Sequence, residues 1–121
     1  MKLLSCIQNL QPIHATNIMA NSYTESLQLN VPLEQAKAKA EEALLKSGFK
    51  MSRWIESNQA FYSESAITIW SWGEDIVVRF EEKGAETLVW FTSSCKLATQ
   101  FIDWGKNKKN AKKFFIALQA S

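Results

Sequence analysis

The residues best able to do chemistry in this chain are lysines, and they are concentrated near its end. Between Lys96 and Lys113 six lysines stand against the single acid Asp103. The rest of the chain has eight basic and eleven acidic residues, so the net charge of +2 conceals one strongly basic region. Lys106, Lys108, Lys109, Lys112 and Lys113 are interleaved with Ala111, Phe114, Phe115 and Leu118, which recur at the spacing of a helix with one buried face. Asn107 or Asn110 is the expected N-cap, which places lysines in the opening turns. A helix N-terminus carries roughly half a positive charge, and each cation there costs about 0.3–1 kcal/mol at low salt. Stability alone would favour acids at these positions. The pattern therefore reads either as a solvated face that keeps the protein in solution, or as a corner where lysines and free backbone N–H groups attract an anion. Phosphate, a nucleic acid and a lipid headgroup are the anions that suit it.

Aromatic residues are the second resource. There are five tryptophans in 121 residues, and Trp70 and Trp72, two apart, share one face of a strand. If Ile67, Ile69, Ile76, Val78 and Phe80 face the helices, then Trp70, Trp72, Val77 and Arg79 lie on the opposite, open face. Either Leu88 with Trp90 or Val89 with Phe91 joins them from the last strand. Such a face suits a homodimer interface, a stacking platform for single-stranded nucleic acid beside Arg79, or a wall around a lipid-like ligand. A bulge midway along the third strand would instead bury both tryptophans. Trp104, beside Gly105 and Lys106, fits a lipid–water boundary. It equally fits a loop anchor in which Asp103 faces the helix N-terminus and Gly105 supplies the turn.

Other chemistry is scarce. The chain has no glycine-rich phosphate loop, no Cys-x-x-Cys, no His-x-x-x-His and no Gly-x-Ser-x-Gly. Its one histidine, His14, precedes the expected folded region and so removes the usual general base and metal ligand from it. The adjacent acids Glu74–Asp75 and Glu81–Glu82 read as solvated turn and strand-end residues. The expectation is a non-enzymatic binding domain without cofactor or metal. Only Arg53 and Arg79 are arginines, and lysine without arginine suits diffuse attraction to phosphate better than base reading.

The elements that must position these residues begin after a leader. Residues 1–21 show no sustained periodicity and read as a flexible segment, with Met19 an alternative start. Leu3-Leu4-Ser5-Cys6 comes too early for a lipoprotein signal, which needs about 7 or more apolar residues ahead of its cysteine. No run approaches the ~20 apolar residues of a membrane span. Two cysteines, Cys6 and Cys95, do not make a disulfide framework, and a reducing, cytoplasmic setting is expected. Residues 22–121 form one domain, and 46% hydrophobic with 21% charged residues is a globular balance.

Strict alternation from Tyr23 to Val31 predicts a half-buried strand. Pro32 opens a helix faced with Ala36, Ala40 and Ala43, Gly48 closes it, and Glu42 pairs with Lys46 on its outside. Strands follow over Phe49–Glu56, Ala60–Trp72 with a bend near Ser63–Ala66, Ile76–Glu81 and Thr87–Ser93, with turns at 57–59, 73–75 and 83–84. A helix over Asn107–Gln119 ends the chain.

This order, β-α-β-β-β-β-α, predicts an α+β two-layer sandwich: an antiparallel sheet with two helices packed on one face. From Tyr23 onward it resembles the TATA-binding-protein-like (TBP-like) fold. It resembles the helix-grip lipid-binding domains less, since those carry two short extra helices after the first strand. Ser93-Ser94, then Asp103-Trp104-Gly105-Lys106-Asn107 and a basic amphipathic helix, resembles the C-terminal signature of a family of small bacterial and chloroplast domains of unknown function. Those domains end in Ser-x-Ser, Asp-x-Gly-x-Asn and a basic helix. That resemblance implies a fold and no activity.

Overall fold

Leu27 and Leu29 alternate with Ser26 and Gln28, and this two-residue period forms strand β1 (Ser22–Leu29). The structure is a computed structural model that describes residues 22–67, 73–96 and 105–120. After β1 come α1 (Leu33–Lys46), β2 (Lys50–Ile55), a single 3-10 turn over Glu56–Asn58, β3 (Ala60–Glu64), β4 (Glu74–Lys83), β5 (Glu86–Cys95) and α2 (Lys106–Ala120). Every pairing is antiparallel and the strand order is β1-β5-β4-β3-β2. The predicted α+β architecture is therefore present: one five-stranded sheet with both helices on one side, α1 over β2 and β4, α2 over β5 and β1.

Pro32 stands immediately before α1, and Ala36 N–H bonds its carbonyl at 3.0 Å. Ala36, Ala40, Ala43 and Leu44 are buried, and the small side chains let the helix axis approach the sheet closely. The far end is a Schellman closure: Gly48 N–H bonds Leu45 O at 3.0 Å and Phe49 N–H bonds Leu44 O at 3.1 Å. Gly48 takes φ +83°, a left-handed conformation in which a Cβ is strained. The predicted Glu42–Lys46 pair forms at 3.2 Å.

Phe91 is the centre of the core. It has no exposure, stacks on Phe114 at 4.8 Å between centroids and meets Phe49 and Phe115 at 6.0 Å each. A second aromatic group under α1 joins Trp54 to Phe61 at 5.0 Å and to Phe80 at 6.1 Å, with Lys37 Nζ 4.1 Å above the Trp54 ring. These contacts settle the phase of the sheet. Ile76, Val78, Val89 and Phe91 face the helices, while Leu88, Trp90, Val77 and Arg79 face away.

Several expectations need correction. Strand β3 ends at Glu64 and residues 65–67 are not strand, the remainder of the expected strand, 68–72, lying outside the described residues; Ile67, expected to face the helices, is 70% exposed. The irregularity lies instead in β2, whose register slips between Lys50 and Arg53, with Met51 at φ +59°. Ser63 supports that bulge through its hydroxyl, 2.8 Å from Lys50 O and 2.9 Å from Ser52 Oγ. Strand β4 starts at Glu74, so Glu74 and Asp75 are strand residues and not a turn. Residues 1–21, with the leader and second start, and the tryptophans Trp70, Trp72 and Trp104 lie outside the described residues. Among the described residues no helix is long and apolar enough to cross a membrane.

Candidate functional site

Helix α2 follows Gly105, which takes φ +74° and offers its carbonyl to Lys109 N–H at 3.0 Å. Its buried positions are Asn107, Asn110, Ala111, Phe114, Phe115 and Leu118. That spacing turns one stripe to the sheet and leaves the rest outward, so Lys108, Lys109, Lys112 and Lys113 are exposed and Lys106 half-buried. The helix contains no acid. Elsewhere Lys37, Lys46, Lys83 and Lys96 each have a carboxylate within 4.0 Å, whereas the α2 lysines pair with none of the described acids. Among them the Lys113 ammonium is perturbed. Partial burial and, after it, the charge of Lys106 hold its ammonium below the usual lysine range, with Glu74 opposing, and its Nζ lies 5.3 Å from the Phe49 ring centroid.

Neither asparagine is the N-cap expected from the sequence. The helix begins at Lys106, and Asn107 and Asn110 have no exposure. A separation of three residues puts both amides on the buried stripe, where the sheet meets them with polar groups of its own. Asn110 Nδ2 donates to Glu74 Oε1 at 2.8 Å and to Ser93 Oγ at 3.0 Å. Ser93 Oγ donates to Asn107 Oδ1 at 2.7 Å, and Asn107 Nδ2 lies 3.6 Å from Cys95 Sγ. Ser65 Oγ donates to Glu74 Oε1 at 2.6 Å and accepts from Glu74 N–H at 2.7 Å. Glu74 is fully buried, not the solvated turn acid its neighbours suggest. One connected set of hydrogen bonds thus ties α2 to β4, β5 and the segment after β3, and it fixes the direction in which the lysines project. The signal that could have located Glu74 is its place two residues before Ile76 and four before Val78, on the same face of one strand.

Arg79 lies on the other side of the sheet. Its guanidinium carbon is 5.9 Å from the Trp90 ring centroid, and Trp90 Nε1 donates to Glu81 Oε1 at 3.5 Å. Lys83 and then Trp90 hold the Glu81 carboxyl below its usual range. Tyr62 shares this face, with Arg53 over its ring at 5.9 Å. Thr24 and Thr92 bridge β1 to β5 across the same surface at 2.9 Å. Arg79 and the α2 lysines are therefore separated by the sheet and make two surfaces. Of the predicted site residues, Lys106, Lys108, Lys109 and Lys112 come together on α2, Arg79 stands apart, and Trp70, Trp72 and Trp104 are outside the described residues. One concavity leaves no mark in the sequence pattern: an open groove of about 630 Å³ between α1 and the start of β2, walled by Leu45, Phe49 and Met51 and rimmed by Glu41 and Glu42.

No family model matches this chain, and no curated protein matches it. Among solved structures, TTHA0849 from Thermus thermophilus is similar with a TM-score of 0.53 at 12% identity, over 82% of this chain and 94% of that one. At that identity the likeness is one of fold: a small α+β domain of nearly the same extent.

Proposed function

We propose that this domain acts by binding rather than by catalysis, and that the lysine face of α2 takes a phosphate-bearing anion. One observation carries the reading. Five lysines sit within about two turns of a helix that has no acid of its own, and no described acid forms an ion pair with them. Like charges at this density repel, and a helix start that lacks acids gives up the usual dipole compensation. An external anion relieves both costs. The buried Asn107–Ser93–Asn110–Glu74 set supports this reading because it holds α2 in one orientation, so the charge is presented on a rigid element. A purely solubilising role for the same lysines predicts no saturable binding.

The test is a titration of the full chain with a single-stranded oligonucleotide and with phosphatidylglycerol vesicles, at low and high salt. The variant Lys108→Gln/Lys109→Gln/Lys112→Gln is titrated beside it. The wild-type protein binds, and its affinity falls as salt rises. For the oligonucleotide, log affinity against log salt flattens in the variant by about 0.7 for each phosphate that a lysine no longer neutralises. A wild-type protein that binds neither probe, or a variant that binds as the wild type does, contradicts the proposal.

A further inference from the structure

We infer that the surface around Lys113 docks this domain onto an anionic lipid bilayer; the inference rests on the anion-binding reading of α2 and names its partner. Among the described residues the exposed large hydrophobics are Leu45 (75%), Met51 (70%), Ile67 (70%) and Ile116 (62%). Three of the four are linked to Lys113, Ile116 along α2 and Leu45 and Met51 through the groove they share with Phe49. Ile116 lies one turn beyond Lys112 and Lys113 on the outer face of α2. Phe49, whose ring is 5.3 Å from Lys113 Nζ, walls the groove together with Leu45 and Met51. The result is a strip of aliphatic side chains running into a five-lysine helix.

Met51 is held outward at a cost. It takes a left-handed φ of +59° at the β2 bulge, a conformation that suits glycine or asparagine far better than a long apolar side chain. In water alone, both the backbone and the side chain of Met51 are unfavourably placed. A bilayer interface removes the second penalty, because an aliphatic tip enters the acyl boundary while neighbouring lysines stay at headgroup level.

Charge complementarity selects the anionic surface. Helix α2 carries five lysines and no acid, and anionic lipid attracts clusters of this kind. Two acids, Glu41 and Glu42, line the same groove, and Glu42 is already paired with Lys46 at 3.2 Å. A nucleic acid fits this strip less well. It offers nothing for aliphatic tips to enter, Phe49 is buried, and Arg79 lies across the sheet.

The experiment is cosedimentation of the full chain with vesicles of phosphatidylcholine alone and of phosphatidylcholine mixed with phosphatidylglycerol. Oligonucleotide binding is measured in parallel. Beside the lysine variant stands Leu45→Gln/Met51→Asn/Ile116→Gln, which leaves every charge in place and suits the left-handed backbone at position 51. We expect the wild type to sediment with mixed vesicles and not with phosphatidylcholine. The aliphatic variant should lose about tenfold or more in vesicle partition while its affinity for the oligonucleotide is unchanged. Full vesicle binding by the aliphatic variant overturns the bilayer inference and leaves the lysine reading standing. So does a wild type that binds the oligonucleotide but no vesicle, which points to a nucleic-acid partner instead. Equal binding of every probe by the lysine variant overturns the anion-binding reading itself.

Discussion

Two side chains on the helix side of the sheet respond to alkali in opposite ways. Burial, and after it the nearby Glu25, hold the Tyr23 phenol well above its ordinary pKa of 10.0, and its OH donates to Glu25 Oε1 at 3.0 Å. The unfolded chain loses this proton near pH 10 and the folded one keeps it. The stabilisation is thus complete below the unfolded pKa and is lost as pH rises beyond it. Lys113 runs the other way: its folded pKa is lowered, so stability rises as pH climbs from that value to the ordinary 10.5. Denaturant melts from about pH 8 to 11, read with about 0.5-unit spacing, should show Tyr23→Phe removing part of the alkaline loss and Lys113→Met removing part of the opposing gain. Unchanged slopes in both variants would contradict this assignment.

Asn110 separates the two roles its residue type can play. As an N-cap it would be worth about 1 kcal/mol. As observed, it donates to two buried acceptors, Glu74 Oε1 and Ser93 Oγ. Removing it takes a donor from both, and the cost of Asn110→Ala should reach about 2–4 kcal/mol, measured as a shift in urea midpoint at constant slope. A loss of only about 1 kcal/mol would return Asn110 to the capping role. The sequence could not separate these roles because asparagine bonds to the backbone at a cap and to side chains in a core, and its distant partners are not visible locally. Glu74 is hidden for the same reason. Beside Gly73 and Asp75 it looks like part of a turn, and only its phase with Ile76 and Val78 places it inside.

At the scale of elements, the boundaries that follow from local chemistry are legible. Pro32 and Gly48 bracket α1, the alternation of β1 gives its buried side, and Gly84 marks the β4–β5 turn. Gly48→Ala forces a Cβ into the left-handed Schellman position and should cost about 1 kcal/mol, seen as a lower melting temperature. Met51→Gly should do the reverse, relieving about 0.5–1 kcal/mol of backbone strain at the bulge. What the sequence could not supply is the tertiary choice between equivalent patterns. Leu88 with Trp90 and Val89 with Phe91 alternate equally well. The pairing of Val89 with Phe80 and of Phe91 with Val78 decides between them, because those partners already face α1 and α2. The bulge expected in the third strand occurs in the second, since a one-residue slip leaves little trace in hydrophobic pattern.

On the scale of the whole molecule, the sheet divides two surfaces of different character. The helix side presents α1, whose three lysines balance its three glutamates, beside α2, whose five lysines have no acid on their own helix. The far side presents Arg79, Trp90, Tyr62 and Glu81 in a mixed surface where charges already have partners. A uniformly solubilising charge would be spread over both. Here it is concentrated on one helix, and the lysine stripe is legible because helical periodicity alone separates it from Phe114, Phe115 and Leu118.

Anion binding by the lysine face of α2 is read from the salt dependence of binding to a phosphate-bearing surface, measured on the full chain and on Lys108→Gln/Lys109→Gln/Lys112→Gln. Wild-type binding to phosphatidylglycerol vesicles should weaken steeply as salt rises from low to physiological levels, and the variant should bind weakly at every salt concentration. Binding that is indifferent to salt, or that survives removal of the three lysines, would contradict it.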